Sequence, residues 1–126
     1  MNGLEDKKIL IADDDEYSGE IARIFLESLG IKKENIFVVE NGNKAIELTK
    51  KEIFDLILMD ISMPGLDGIE TSKKIKAKYN GNSPKIIAYT ANQYLKRDNG
   101  IEIMDDIMIK PIEIETFKKQ ILDVLN

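Results

Sequence analysis

The chain reads as an α/β protein, a five-stranded parallel sheet with helices on both faces. Two observations point there. Five short apolar runs recur along the sequence, set between longer stretches patterned as helices or turns. The runs are continuous rather than alternating, so both faces of each strand are expected to be buried, as in a parallel sheet covered by helices.

The elements follow in order. Ile9–Ala12 is the first strand. Residues 15–29 form a helix, with Ile21, Ile24, Phe25 and Leu29 at helical spacing and Gly30 as its stop. Ile36–Val39 is the second strand, Asn41-Gly42 makes a turn, and residues 43–51 form a short helix. Residues 54–59 are the third strand, followed by a loop over 60–66 that contains Pro64 and Gly65. Asp67 starts a helix running to about Tyr79, with Lys73, Lys74, Lys76 and Lys78 on its wet side. The run Asn80-Gly81-Asn82-Ser83-Pro84 is a turn, and residues 85–89 are the fourth strand. A polar stretch around 93–99, ending at Gly100, predicts a short fourth helix. Residues 107–109 are the fifth strand. Residues 113–125 are the last helix, with Ile114, Phe117, Ile121 and Val124 on one face.

Composition narrows the function. A length of 126 residues suits one domain, expected to fill 1–126 without an output domain. The net charge of −5 argues against nonspecific nucleic-acid binding, which needs basic surface. There is no cysteine and no histidine, which excludes thiol catalysis, disulfides, Ser-His-Asp triads and His-ligated metals. The chemistry must run on carboxylates, hydroxyls, lysines and backbone groups. The N-terminus is polar, and runs such as Ile9–Ala12 and Leu56–Met59 fall far short of the roughly 20 apolar residues of a membrane span. A cytoplasmic location without membrane insertion is expected.

In open α/β sheets, ligands bind outside the carboxyl ends of the strands. Asp13, Asp14 and Asp15 follow the first strand, Asp60 the third, Thr90 the fourth, and Lys110 with Pro111 the fifth; the second offers Glu40. If the first and third strands are neighbours, Asp13, Asp14 and Asp60 converge. Their mutual repulsion calls for a divalent cation and a lysine. Mg²⁺ suits such a place, because it takes oxygen ligands from one or two carboxylates together with phosphate oxygens. Asp60 can then serve as a carboxylate nucleophile that forms an acyl phosphate. Mg²⁺, Lys110 and the Thr90 hydroxyl would each take one phosphoryl oxygen, and the small Ala91 would leave access.

Four stretches carry a resemblance across essentially the whole chain: Ile9-Leu10-Ile11-Ala12-Asp13-Asp14-Asp15, Asp60-Ile61-Ser62-Met63-Pro64-Gly65-Leu66-Asp67-Gly68, Ile86-Ile87-Ala88-Tyr89-Thr90-Ala91-Asn92 and Lys110-Pro111. In this order, at the ends of successive strands, they resemble the receiver domain of response regulators in two-component signalling. The resemblance implies the sheet order 2-1-3-4-5 with five helices. It makes Asp60 the phosphoacceptor, which accepts and loses its own phosphoryl group without being an enzyme on other substrates. Asp14 becomes the principal metal carboxylate, with Asp13 binding directly or through water and the backbone carbonyl of Ser62 as a further ligand. Thr90 and Lys110 become the phosphate sensors, and the Lys110–Pro111 peptide bond is often cis in the family. The implied donor is a phosphohistidine on a histidine kinase or histidine phosphotransfer protein, and the signal passes on through altered partner binding. Asn92 and Met104-Asp105-Asp106 resemble receivers attached to hybrid kinases.

The chain departs from the family at Ile107, where an aromatic residue is usual, and in the slightly short stretch from Thr90 to Lys110. Three other functions compete. A Mg²⁺-dependent aspartyl phosphatase usually carries a second aspartate two residues after the nucleophile, and here that position is Ser62. A pseudo-receiver would bind partners without phosphorylation; the complete acidic set with Thr90 and Lys110 argues against it, while Ile107 leaves it open. A flavin-binding protein would need a hydroxyl- and glycine-rich loop where Asp13 to Glu16 stand. Asp13 to Glu16 also suit a helix N-terminus, and Thr90 suits a helix cap.

Overall fold

The structure, a computed structural model, describes residues 3–79, 81–92 and 100–126. Along the chain run β1 (Ile9–Ala12), α1 (Glu16–Ser28), β2 (Ile36–Val39), α2 (Gly42–Lys51), β3 (Leu56–Met59), α3 (Gly68–Lys76), β4 (Lys85–Thr90), β5 (Asp106–Ile109) and α4 (Ile114–Leu125). Short 3-10 turns at Lys33–Asn35 and Ile101–Ile103 lead into β2 and β5. The expected helix around 93–99, including Tyr94, lies outside the described residues, among which there are four α-helices.

All five strands pair in parallel, in the order β2-β1-β3-β4-β5. The continuous apolar runs explain the centre of the sheet: every residue of β1 and β3 is buried, because helices cover both faces. On one face, Ala22 and Leu26 of α1 and Phe117 and Ile121 of α4 pack against Ile9, Ile11, Leu58 and Met108. On the other, Ala45 of α2 and Ile69 and Ile75 of α3 pack against Leu10, Ile57, Met59 and Ile86. No helix among the described residues is long and apolar enough to cross a membrane.

Three expectations need correction. The edge strands are not buried on both faces: Val38, Ile107 and Ile109 are each more than a third exposed, since β2 and β5 have a neighbour on one side only. Ile24 of α1 is 55% exposed, and the buried side of that helix is Ser18, Gly19, Ala22 and Leu26. Small residues lie there because the helix sits close to the sheet; a Cβ on Gly19 would lie 3.3 Å from a Val38 methyl. Finally, Asn41-Gly42 is a helix start rather than a separate turn. The Asn41 side chain accepts from the Lys44 N–H at 2.8 Å, and Gly42 is the first residue of α2.

Candidate functional site

The strand register brings the carboxyl ends of β1, β3, β4 and β5 to one edge. Ala12 lies beside Met59, and Thr90 beside Ile109. The ladder continues one step further, with Asp60 N–H donating to the Ala12 carbonyl (2.9 Å) and Lys110 N–H to the Thr90 carbonyl (2.7 Å). Backbone pairing thus fixes the residues that leave the sheet before their side chains meet anything.

The acidic run after β1 divides its work. Asp13 turns inward, is 2% exposed, and accepts from the Asp15 N–H at 2.9 Å. Asp14 is exposed at the rim. Asp15 caps α1 by accepting from the Tyr17 N–H at 3.1 Å, and Glu16 occupies the first turn, where the helix dipole favours an acid. The helix-terminus reading therefore holds for two of the four acids, while Asp13 and Asp14 face the site.

Asp60 ends β3 and is 5% exposed; its Oδ1 accepts from the Ser62 N–H at 3.2 Å. The loop after it folds back tightly. Gly68 N–H donates to the Ile61 carbonyl at 2.9 Å, and a Cβ on Gly68 would collide with the Asp60 carbonyl. Asp67 caps α3 by accepting from the Glu70 N–H at 2.8 Å. Thr90, fully buried at the end of β4, accepts from the Asn92 N–H at 3.2 Å through its hydroxyl, and Ala91 beyond it is exposed.

Lys110 closes the site from β5, and its peptide bond to Pro111 is cis. Its Nζ donates to Asp13 Oδ2 at 2.8 Å and to Ser18 Oγ at 2.7 Å, and lies 3.7 Å from Asp60 Oδ2. The ammonium also stands 4.8 Å from the centre of the Tyr89 ring. Tyr89 is buried, and its hydroxyl donates to the Ser18 carbonyl at 3.3 Å. Burial keeps that phenol above its ordinary pKa, against the pull of the hydrogen bond to Ser18 and the Lys110 charge.

Carboxylate oxygens of Asp13, Asp14 and Asp60 all lie within 4.8 Å of one another. Burial raises the Asp60 carboxyl to about 7; Lys110 and the Ser62 N–H oppose the rise, and Asp13 adds to it. An all-oxygen donor set of this kind fits a hard divalent cation and not a soft one. A groove of about 370 Å³ lined by Asp13, Asp14, Glu16, Val38, Val39, Glu40 and Lys44 lies beside the cluster.

Of the residues singled out in the sequence, Asp13, Asp14, Asp60 and Lys110 converge. Thr90 stands at the end of the next strand, bonded within its own turn. Ser62 offers its N–H to Asp60, while its side chain is exposed. Ser18 and Tyr89 escape a reading of the sequence: Ser18 looks like an ordinary helix residue and Tyr89 like strand core. The only available signal was that Tyr89 adjoins Thr90; Ser18 carried none.

The chain is similar to known proteins over most of its length. A family model described as the response regulator receiver domain matches residues 9–122. Hybrid signal transduction histidine kinase H of Dictyostelium discoideum is 42% identical over 88 residues, covering 69% of this chain and 6% of that protein. Hybrid signal transduction histidine kinase K of the same organism is 36% identical over 126 residues, covering 90% of this chain and 10% of that protein. The chain thus spans a tenth or less of the length of these two relatives. Among solved structures, response regulator protein TrrA from Thermotoga maritima, in complex with Mg²⁺-BeF, superposes with a TM-score of 0.84 at 28% identity, covering 94% of this chain and 99% of that one. The receiver domain of a sensor histidine kinase from Pseudomonas aeruginosa PAO1, with a magnesium ion in its active-site cleft, gives 0.83 at 29% identity, covering 94% and 97%.

Proposed function

Because the chain belongs to the response regulator receiver family of two-component signalling, we propose that it is a phosphorylation switch in which Asp60 takes a phosphoryl group from a phosphohistidine and thereby changes what the domain binds. The observation that carries this reading is the convergence of three carboxylates and one lysine from three strands, with the Asp60 carboxyl pushed up to about 7.

In the proposed step an Asp60 carboxylate oxygen attacks phosphorus. The new O–P bond forms as the N–P bond of the donor breaks, and the donor imidazole leaves with the electron pair and takes up a proton. The Lys110 ammonium, already 3.7 Å from Asp60 Oδ2, offers positive charge to the arriving phosphoryl oxygens. The Thr90 hydroxyl would turn from its own turn to donate to another. Asp13, Asp14, Asp60 and the Ser62 carbonyl would hold Mg²⁺, which when bound supplies charge neutralisation for the phosphoryl group. Exposure of Ala91 and of the Asp14 rim leaves the donor a way in. A histidine kinase or histidine phosphotransfer protein in the cytoplasm is the proposed donor.

The test is intact mass after incubation with acetyl phosphate, with and without Mg²⁺, for this protein and for Asp60→Asn. One added phosphoryl group that requires both Mg²⁺ and Asp60 is expected. Incorporation that survives Asp60→Asn would remove Asp60 from the role of acceptor.

A further inference from the structure

Resting on the acceptor reading of Asp60, we propose that Ser18 is a positioning residue for Lys110, its hydroxyl holding the ammonium where a phosphoryl oxygen on Asp60 would arrive. An ammonium group has three protons. Two go to Asp13 Oδ2 at 2.8 Å and to Ser18 Oγ at 2.7 Å, and Asp60 Oδ2 at 3.7 Å lies beyond hydrogen-bond length. That leaves one proton without a hydrogen-bonded oxygen, and Asp60 Oδ2 is a carboxylate oxygen close by but out of hydrogen-bond reach. A phosphoryl group on Asp60 would bring its oxygens closer to Nζ than the 3.7 Å of Asp60 Oδ2, so the lysine could meet one with little movement. Without the Ser18 hydroxyl, the nearest remaining acceptors are carboxylates, and the ammonium collapses onto Asp60 and masks the nucleophile.

Ser18 is itself held in place. It is 7% exposed, and it sits one turn into α1 behind the Asp15 cap. Its carbonyl accepts from the Tyr89 hydroxyl at 3.3 Å, which ties the helix to β4. The Tyr89 ring, 4.8 Å from Nζ, adds a face that favours a cation. A helical hydroxyl ordinarily bonds back to a carbonyl of its own helix. Ser28, Thr49 and Thr71 do so here, towards Phe25, Ile46 and Asp67, whereas Ser72 reaches Met104 Sδ. The Ser18 oxygen accepts a hydrogen bond from a residue 92 positions away. Placing a cation before the reaction removes the cost of moving it during the reaction.

The experiment compares wild type, Ser18→Ala and Ser18→Thr in two readouts. The first is the ¹⁵N–¹H resonance of the Lys110 ammonium in the metal-free protein, assigned by its absence in Lys110→Met. The second is the rate of phosphoryl incorporation from acetyl phosphate with saturating Mg²⁺. Ser18→Ala is expected to lose the slowly exchanging ammonium signal and to slow incorporation about tenfold. Ser18→Thr, which keeps the hydroxyl, restores both. An alanine variant with wild-type signal and wild-type rate overturns the proposal, as does one that loses the signal yet reacts at the wild-type rate. Wild-type protein that takes up no phosphoryl group overturns the acceptor reading instead, and the ammonium signal still decides whether Ser18 holds Lys110.

Discussion

Asp60 is a carboxyl that the fold makes uncomfortable as an anion. Folded, it holds its proton up to about 7; unfolded, it releases it near the ordinary value of about 3.9. Between those two pH values the folded protein binds more protons than the unfolded one, so this group's contribution to stability falls as pH rises from about 4 to about 7. Asp60→Asn removes the effect. At pH 8 without divalent cations the variant is expected to melt roughly 5 °C above wild type, with the gap closing towards pH 4. Calorimetry across that range checks both the sign and the window; an equal gap at both ends would contradict it. The acids and Lys110 were legible in the sequence because each stands directly after an apolar run. Ser18 and Tyr89 were not, because what a helical serine or a strand tyrosine touches is decided by other strands.

Helix starts carry the local logic of the site. The α3 start is wedged beneath the Asp60 carbonyl, with Gly68 filling a place where any side chain collides with backbone. Gly68→Ala is expected to cost about 2–4 kcal/mol, read as a lower urea midpoint at unchanged slope, because a backbone clash cannot be relieved by a rotamer change. Loss of less than about 0.5 kcal/mol would mean that the loop yields. Most of the described elements were readable to within two residues, though α3 ends at Lys76, three residues before the expected Tyr79. Continuous apolar runs marked the strands, and acids marked the starts at Asp15 and Asp67, whereas the Asn41 cap was read as a turn because Asn-Gly serves both. The inner face of α1 was misjudged because apolar size drew attention to Ile24, whereas close packing against β2 selects Gly19 and Ala22. The 3-10 turn at Lys33–Asn35 has no apolar period to announce it.

At the scale of the molecule, the order β2-β1-β3-β4-β5 collects the site at one edge of the sheet. Repeated apolar runs specify strands but not which strand pairs with which; the order came from the resemblance of whole motifs. Since the three carboxylates repel in the folded state and separate on unfolding, a cation bound by them stabilises the fold through mass action. Mg²⁺ at ten times its dissociation constant is expected to add about 1.4 kcal/mol, visible as a rise in melting temperature that chelation reverses. The rise should vanish in Asp13→Asn and in Asp60→Asn; its persistence in both would place the cation elsewhere.

The link between Lys110 and Asp13 spans 97 residues of sequence. During synthesis on the ribosome, β1 and β3 emerge long before β5, so the carboxylates can gather while the cation that tempers them is still unmade. A chain lacking β5 would lack Lys110, and any gathering of the carboxylates would then need protons or divalent cations in its place. β5 therefore does more than extend the sheet: it carries the positive charge that the acids of β1 and β3 face.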